Sequence, residues 1–230
     1  DFKDLDNSHW AYGEIHNLVE KGVIGGYDDG TVKPDHQVTR GELAKIAFTL
    51  FPDGNEINAI NSPEYPDIGD HWSAPYLEVA IQLIPGYTDG YFKPSEPATR
   101  YHVAILLLYA KLLHEGNCEL ADGEINILLP LPEPKAWNKL KSFKEYSDLE
   151  AKYKQSTRYF EDDPDKTKFT EYAGTLFYEL NNIAFLIEKN IASGYPDGSL
   201  RLKQPITRAE TCALANRLYD LDLSKEDKFL

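Results

Sequence analysis

Apolar residues in the first fifth of the chain fall into two stripes at helical spacing. Trp10, Ile15, Leu18 and Val19 form one, and Leu43, Ile46, Ala47 and Leu50 form the other. The pattern predicts an amphipathic helix over 10–21 and a second one starting at Thr39. Between them, Gly26-Tyr27-Asp28-Asp29-Gly30 predicts a turn, and Pro34 predicts a short extended piece after it. Gly22 suits the end of the first helix, where a left-handed residue is needed. The unit is therefore helix, turn, extended piece, helix.

This unit occurs three times. Gly26 to Gly30, Gly86-Tyr87-Thr88-Asp89-Gly90 and Gly194-Tyr195-Pro196-Asp197-Gly198 each lead, nine residues after the last glycine, to Thr39-Arg40, Thr99-Arg100 and Thr207-Arg208. Three identical spacings identify a repeat protein. Upstream, Asp4 and His9-Trp10-Ala11 recur as Asp67 and His71-Trp72-Ser73. In the third copy, counting back from Gly194 puts Tyr178 at the place of Trp10, with Ile183 and Leu186 matching Ile15 and Leu18.

The expected boundaries are repeat 1 at 1–61, repeat 2 at 62–115, a connector at 116–168 and repeat 3 at 169–230, all in one integrated domain. The connector accounts for the growth of the repeat offset from 60 to 108 residues. Leu129 to Pro134, with three prolines, predicts a polyproline-like stretch, Trp137 to Phe160 one or two helices, and Glu161-Asp162-Asp163-Pro164-Asp165 a solvated turn. No function attaches to this connector from its sequence.

The second helix of each unit has a specific start signal. Thr39-Arg40-Gly41-Glu42 and Thr207-Arg208-Ala209-Glu210 fit a capping box, in which Thr and Glu close on each other's backbone N–H groups. Thr99-Arg100-Tyr101-His102 has His at the Glu place, which predicts a weaker second cap.

Composition narrows the partners. The 230 residues, 42% hydrophobic and 12% aromatic, suffice for a folded core. A formal charge of -14 disfavours nucleic acid and anionic membranes, so an anionic ligand needs a local basic group. No stretch approaches the roughly 20 apolar residues that cross a bilayer, which predicts no membrane insertion. Asp1 to Asp6 has none of the regions of a signal peptide, so the chain reads as mature or trimmed. Cys118 and Cys212 lack metal spacing and read as two unpaired, partly buried thiols, with one long-range disulfide as the alternative.

An Asp before a Trp-containing helix, then Gly-Tyr-x-Asp-Gly, then Thr-Arg-x-Glu, resembles the S-layer homology (SLH) family. The resemblance is strongest over Phe2 to Phe51 and continues over Tyr65 to Leu113 and Glu179 to Leu221. It implies a mainly α fold, a pseudo-threefold assembly of three helix-loop-helix repeats around a central three-helix bundle, in which the 116–168 connector of this chain is a partly helical insertion between repeats 2 and 3. It also implies that grooves between neighbouring repeats bind an anionic secondary cell-wall polysaccharide, often ending in pyruvylated N-acetylmannosamine. The expected role is a non-catalytic anchor on the bacterial cell surface, part of a larger surface protein, with no cofactor.

Elementary chemistry nominates the ligand contacts. Free N–H groups and the helix dipole make a helix start an anion site, and Arg at the first position adds a fork matching a carboxylate. Arg40, Arg100 and Arg208 are the first candidates, against the alternative that each merely pairs with a carboxylate of an Asp-rich turn. Gly26, Gly86 and Gly194 are candidates for positive φ or close ligand approach. Tyr27, Tyr87 and Tyr195 offer rings or hydroxyls to sugar, with core packing the alternative. Trp10 and Trp72 are sugar platforms or inter-repeat core, the latter favoured. Lys33 and Lys93 supply a second positive charge. Fewer than three strong sites are expected, because the copies differ.

Three other functions compete for the same residues. A calcium loop lacks the alternating acids and the Glu at its twelfth position. An enzyme lacks a nucleophile or HExxH motif, and Asp4 and Asp67 are better explained as caps or turn formers. A protein-protein adaptor, or a direct peptidoglycan-binding module with degenerate sugar sites, remains the competing use of such grooves.

Overall fold

The computed structural model describes residues 2–52, 64–121, 124–127, 132, 134–148, 151 and 180–223. It divides into two compact units, Asp1–Leu128 with Leu202–Lys225, and Leu129–Arg201 with Glu226–Leu230. The fold is mainly helical, as expected.

The first unit holds α1 (Tyr12–Glu20), α2 (Arg40–Leu50), α3 (Ala74–Leu83), α4 (Arg100–His114) and, from the end of the chain, Arg208–Asp220. A two-stranded antiparallel hairpin, β1 (Cys118–Ala121) and β2 (Glu124–Ile127), follows α4. The second unit contains α5 (Pro134–Leu140), so the Arg208–Asp220 helix is α6.

α4 packs against both α2 and α6, while α1 lies on α6 and α3 on α2. The periodic residues do what their spacing predicted. Ile15, Leu18, Leu43 and Ala47 are fully buried, and α4 buries Val103 to Leu108 continuously. A helix apolar on nearly every face belongs between other helices. α1 ends on Gly22 at φ 70, and the Val23 N–H donates back to the Leu18 carbonyl at 2.9 Å. Cys212 is free and buried. The Cys118 side chain, Tyr178, most of Leu129 to Pro134 and the Glu161 to Asp165 run lie outside the described residues.

The starts of the three second helices are tied to one another. Val38 donates its N–H to Ile206, Ala98 to Val38 and Ile206 to Ala98, at 3.1, 2.7 and 3.2 Å. One bridge joins each neighbour, Thr39 to Pro97, Thr99 to Pro205 and Thr207 to Gln37. Where an extended piece was expected after Pro34, the chain forms only these single bridges. All three helices carry the capping box, including α4, where the His102 ring nitrogen accepts the Thr99 N–H at 3.4 Å. The Glu versions close at 2.9 and 3.0 Å, so the second box is the longest.

In the second unit, residues 180–188 are helical and bury Ile183 and Leu186. Asn190, at φ 57, replaces Gly22 at the helix end, and the Ile191 N–H returns to the Leu186 carbonyl at 2.9 Å. Asn is the side chain that best tolerates that conformation after glycine.

Candidate functional site

Each Gly-Tyr-x-Asp-Gly segment folds into the same tight loop. The Tyr27, Tyr87 and Tyr195 carbonyls accept from Gly30, Gly90 and Gly198, and the same tyrosines donate to residues 31, 91 and 199 at 2.8 Å. The final glycines sit at φ 81, 84 and 80, a region open to glycine without penalty.

Three residues further on, Lys33, Lys93 and Arg201 adopt φ 52, 57 and 52. A long side chain in left-handed backbone costs roughly 1 kcal/mol. An upstream carboxylate holds each one there. Asp4 accepts the Val32 and Lys33 N–H groups, both at 2.8 Å, and Asp67 accepts those of Phe92 and Lys93 at 3.0 and 2.7 Å. Glu145 accepts those of Leu200 and Arg201 at 2.9 and 2.6 Å. The bend directs each cation over its own tyrosine, with 4.0 Å from Lys33 to Tyr27, 4.5 Å from Lys93 to Tyr87 and 3.8 Å from Arg201 to Tyr195. The loop aspartates pair with the same cations: Asp29 at 3.5 Å, Asp89 at 2.6 Å and Asp197 at 3.4 Å. The hydroxyl and N–H of Ser199 hold the Asp197 carboxyl at about 2, and Thr31 likewise keeps Asp29 below its usual range.

The helix-start arginines bring a second cation to the tyrosines of unit 1, from a different repeat. The guanidinium carbon of Arg40 is 5.3 Å from the Tyr87 ring, and that of Arg208 is 5.4 Å from the Tyr27 ring. Tyr27 thus joins Lys33 and Arg208, which are 175 positions apart in the chain, and Tyr87 joins Lys93 and Arg40. At both places a tyrosine is bracketed by two cations. Arg100 begins α4 with its N–H on the Gln204 carbonyl at 2.9 Å, and Tyr195 sits in the second unit.

Four expectations need correction. The helix starts hold no free N–H groups for an anion. Arg40 and Gly41 donate theirs to Glu96 and Pro94, Arg100 and Tyr101 to Gln204 and Leu202, and Arg208 and Ala209 to His36 and Pro34, all at 2.8–2.9 Å. The ring between repeats consumes them. Among the described residues Arg40 pairs with no carboxylate; it is fully buried and donates to the carbonyls of Phe92 at 2.9 Å and Pro85 at 2.7 Å. Trp10 and Trp72 are not core, being 62% and 55% exposed beside His9 and His71. The space above Gly26, Gly86 and Gly194 is filled by the chain's own rings, Phe2, Tyr65 and Phe143, and of the three only Gly194 has positive φ, at 76.

The sequence reading missed Arg201, Glu145, Phe143 and the contact of His102 with Arg40. Signals for them exist. Arg201 follows Gly198 by three residues as Lys33 follows Gly30, and Phe143-Lys144-Glu145 repeats the order Phe2-Lys3-Asp4. The main chain agrees, since Lys3 donates to Gly30 at 3.0 Å and Lys144 to Gly198 at 3.1 Å. Residues expected in the connector thus make the contacts that open the other repeats. His102 sits 3.2 Å from Arg40 Nη1. Burial and the nearby guanidinium push its protonation down to about 4, so its ring nitrogen accepts from Thr99 and Arg40 as the neutral form.

Comparisons with known proteins agree on one family. The S-layer homology domain matches residues 1–44, 64–104 and 177–212, more than half of the chain. A cellulosome-anchoring protein of Acetivibrio thermocellus is 36% identical over 110 residues, 46% of this chain and 25% of that protein. An uncharacterized cell wall amidase of Bacillus anthracis is 31% identical over 115 residues, 49% of this chain and 21% of that protein. The S-layer protein EA1 of Bacillus anthracis is 31% identical over 138 residues, 59% of this chain and 16% of that protein. The chain spans a quarter or less of the length of each of these relatives. With three matched repeats carrying the same loop, cation and cap, the chain belongs to the S-layer homology family.

Proposed function

We propose that this chain is a non-catalytic module that fastens a larger protein to the bacterial cell surface by binding an anionic cell-wall polysaccharide in the grooves between repeats. Family membership already makes it a cell-surface anchoring module. The polymer is the finer claim. The observation that carries it is the pair of cations brought to one tyrosine from separate repeats, Lys33 with Arg208 at Tyr27. An aromatic face beside two positive groups suits a sugar ring bearing an acidic substituent such as a pyruvate ketal.

Backbone strain supports the same reading. Glycine would occupy position 33, 93 or 201 without cost, yet all three carry a long cation at positive φ. Strain kept in every copy marks a side chain that is needed there. The exposed Trp10 and Trp72 add apolar faces suited to sugar. We further read the third repeat as split, opening at Phe143 and resuming with the helix at 180–188, so that the intervening residues are an insertion inside it.

Titration calorimetry against purified cell-wall polymer, with and without its acidic substituent, tests the proposal. Binding that depends on the substituent and weakens in Lys33→Ala supports it, and equal binding to both polymers removes the anionic part of the claim. No binding to either directs the search to protein partners.

A further inference from the structure

The two grooves of unit 1 share a plan and differ in one respect: how fully the chain occupies its own arginine. Arg40 has no exposed surface, and its Nε, Nη2 and Nη1 groups are engaged by Phe92, Pro85 and His102. Its guanidinium also lies 4.1 Å from the Phe92 ring. Each of its three nitrogens has a partner within the chain, and none of its surface faces a ligand. Arg208 is 8% exposed, and its Nη2 reaches the Gly25 carbonyl at 2.8 Å, the counterpart of the Arg40 contact with Pro85. The counterpart of the bond from Nε to Phe92 is missing, and Arg208 Nε is buried with no hydrogen-bond partner among the described residues.

The third contact differs for a reason visible in the sequence. Arg40 faces His102, and the residue in that place opposite Arg208 is Glu42. Glu42 is already committed, accepting from the Thr39 N–H at 2.9 Å and the Tyr27 hydroxyl at 3.2 Å. His at the cap place in repeat 2 thus gives Arg40 a third partner, while Glu42 in repeat 1 spends its oxygens on Thr39 and Tyr27.

Resting on the reading above that these grooves take an anionic glycan, we infer that the two have divided their work. The groove of Arg208, Tyr27 and Lys33 binds the acidic substituent, and the groove of Arg40, Tyr87 and His102 is a sealed strut. A buried N–H without an acceptor bears the full cost of its lost hydration, and an arriving carboxylate or phosphate oxygen recovers it. A planar fork whose Nε donor lacks a partner is selective for such an oxygen, whereas a fork with no exposed surface and a partner on each nitrogen offers a ligand no point of entry.

The test follows the arginine Nε–H resonances by NMR in the intact 15N-labelled chain. The probe is the methyl glycoside of pyruvylated N-acetylmannosamine, with the same sugar lacking pyruvate as control. The Arg208 resonance is expected to shift on saturation while that of Arg40 stays in place. In Arg208→Lys the affinity at that site falls at least about tenfold, and in Arg40→Lys it is unchanged. Arg40→Lys risks unfolding, so the resonance of the unaltered chain decides the matter independently. An Arg40 shift, or a saturated chain with an unmoved Arg208, overturns the division while the glycan reading stands. Failure of the unaltered chain to bind the probe in calorimetry overturns the glycan reading for this sugar and the division with it.

Discussion

Glu145 accepts the backbone N–H of Arg201 at 2.6 Å, the same service that Asp4 performs for Lys33 and Asp67 for Lys93. Replacing Glu145 by Ala removes both acceptors of a strained loop, at about 1–3 kcal/mol locally. Hydrogen exchange at the Leu200 and Arg201 amides is expected to accelerate by at least tenfold, and Glu145→Asp to fall between Ala and the parent. Unchanged protection would show that the loop holds itself.

Arg40→Ala is expected to destabilise the chain by about 3 kcal/mol or more, because it strands the Phe92 and Pro85 carbonyls in a buried site. Arg208→Ala removes a single bond to Gly25 and is expected to cost about 1 kcal/mol. Urea denaturation of the two variants gives the comparison. Equal losses would mean that both arginines serve the same structural purpose.

Stability is expected to depend on His102 in mildly acid solution. In the unfolded chain it takes a proton near 6.5, in the folded chain only near about 4. The unfolded state binds more protons between those values, so the contribution is intact above pH 6.5 and shrinks as pH falls toward 4, by on the order of 2–3 kcal/mol. The melting-temperature difference between the parent and His102→Gln should therefore change in the parent's disfavour between pH 7 and pH 4.5. A constant difference would place His102 in contact with water in the folded state.

Gly26→Ala drives a methyl group into the Phe2 ring and is expected to cost about 1–3 kcal/mol. The penalty should shrink when Phe2 is also changed to Leu, because the two side chains then no longer compete for the same space. Additive losses in that double-mutant cycle would locate the strain elsewhere.

Trp10→Ala and Trp72→Ala are expected to shift stability by no more than about 0.5 kcal/mol, since both rings stand largely in solvent. Intrinsic fluorescence should report the same exposure as a red-shifted emission. A large loss of stability would return these residues to the core.

Much of the architecture was legible in the sequence because repetition amplifies weak signals. One Thr-Arg pair says little, but three at a fixed distance from a glycine turn locate three helix starts. The stripes at Ile15 and Leu18 and at Leu43 and Ala47 placed their helices for the same reason that they bury them. Long-range pairing was hidden. No local pattern states that the Arg40 N–H belongs to Glu96, or that Phe2 fills the space over Gly26. Trp10 was misplaced because size and apolarity favour burial in general, while exposure depends on what surrounds α1. The contact of Glu145 with Leu200 was missed because 55 positions separate the two, so its carboxylate looked like one more charge in a connector.

Val38, Ala98 and Ile206 each give one hydrogen bond and take one, and the circuit returns to its starting point. Solenoid repeats leave a free face at either end, and their number can drift as copies are gained or lost. Here the valence is saturated at three. Two units would leave a donor and an acceptor stranded, and a fourth would find no partner. Copy number in this chain is a condition of closure, and any lengthening by duplication would have to arrive as another complete set.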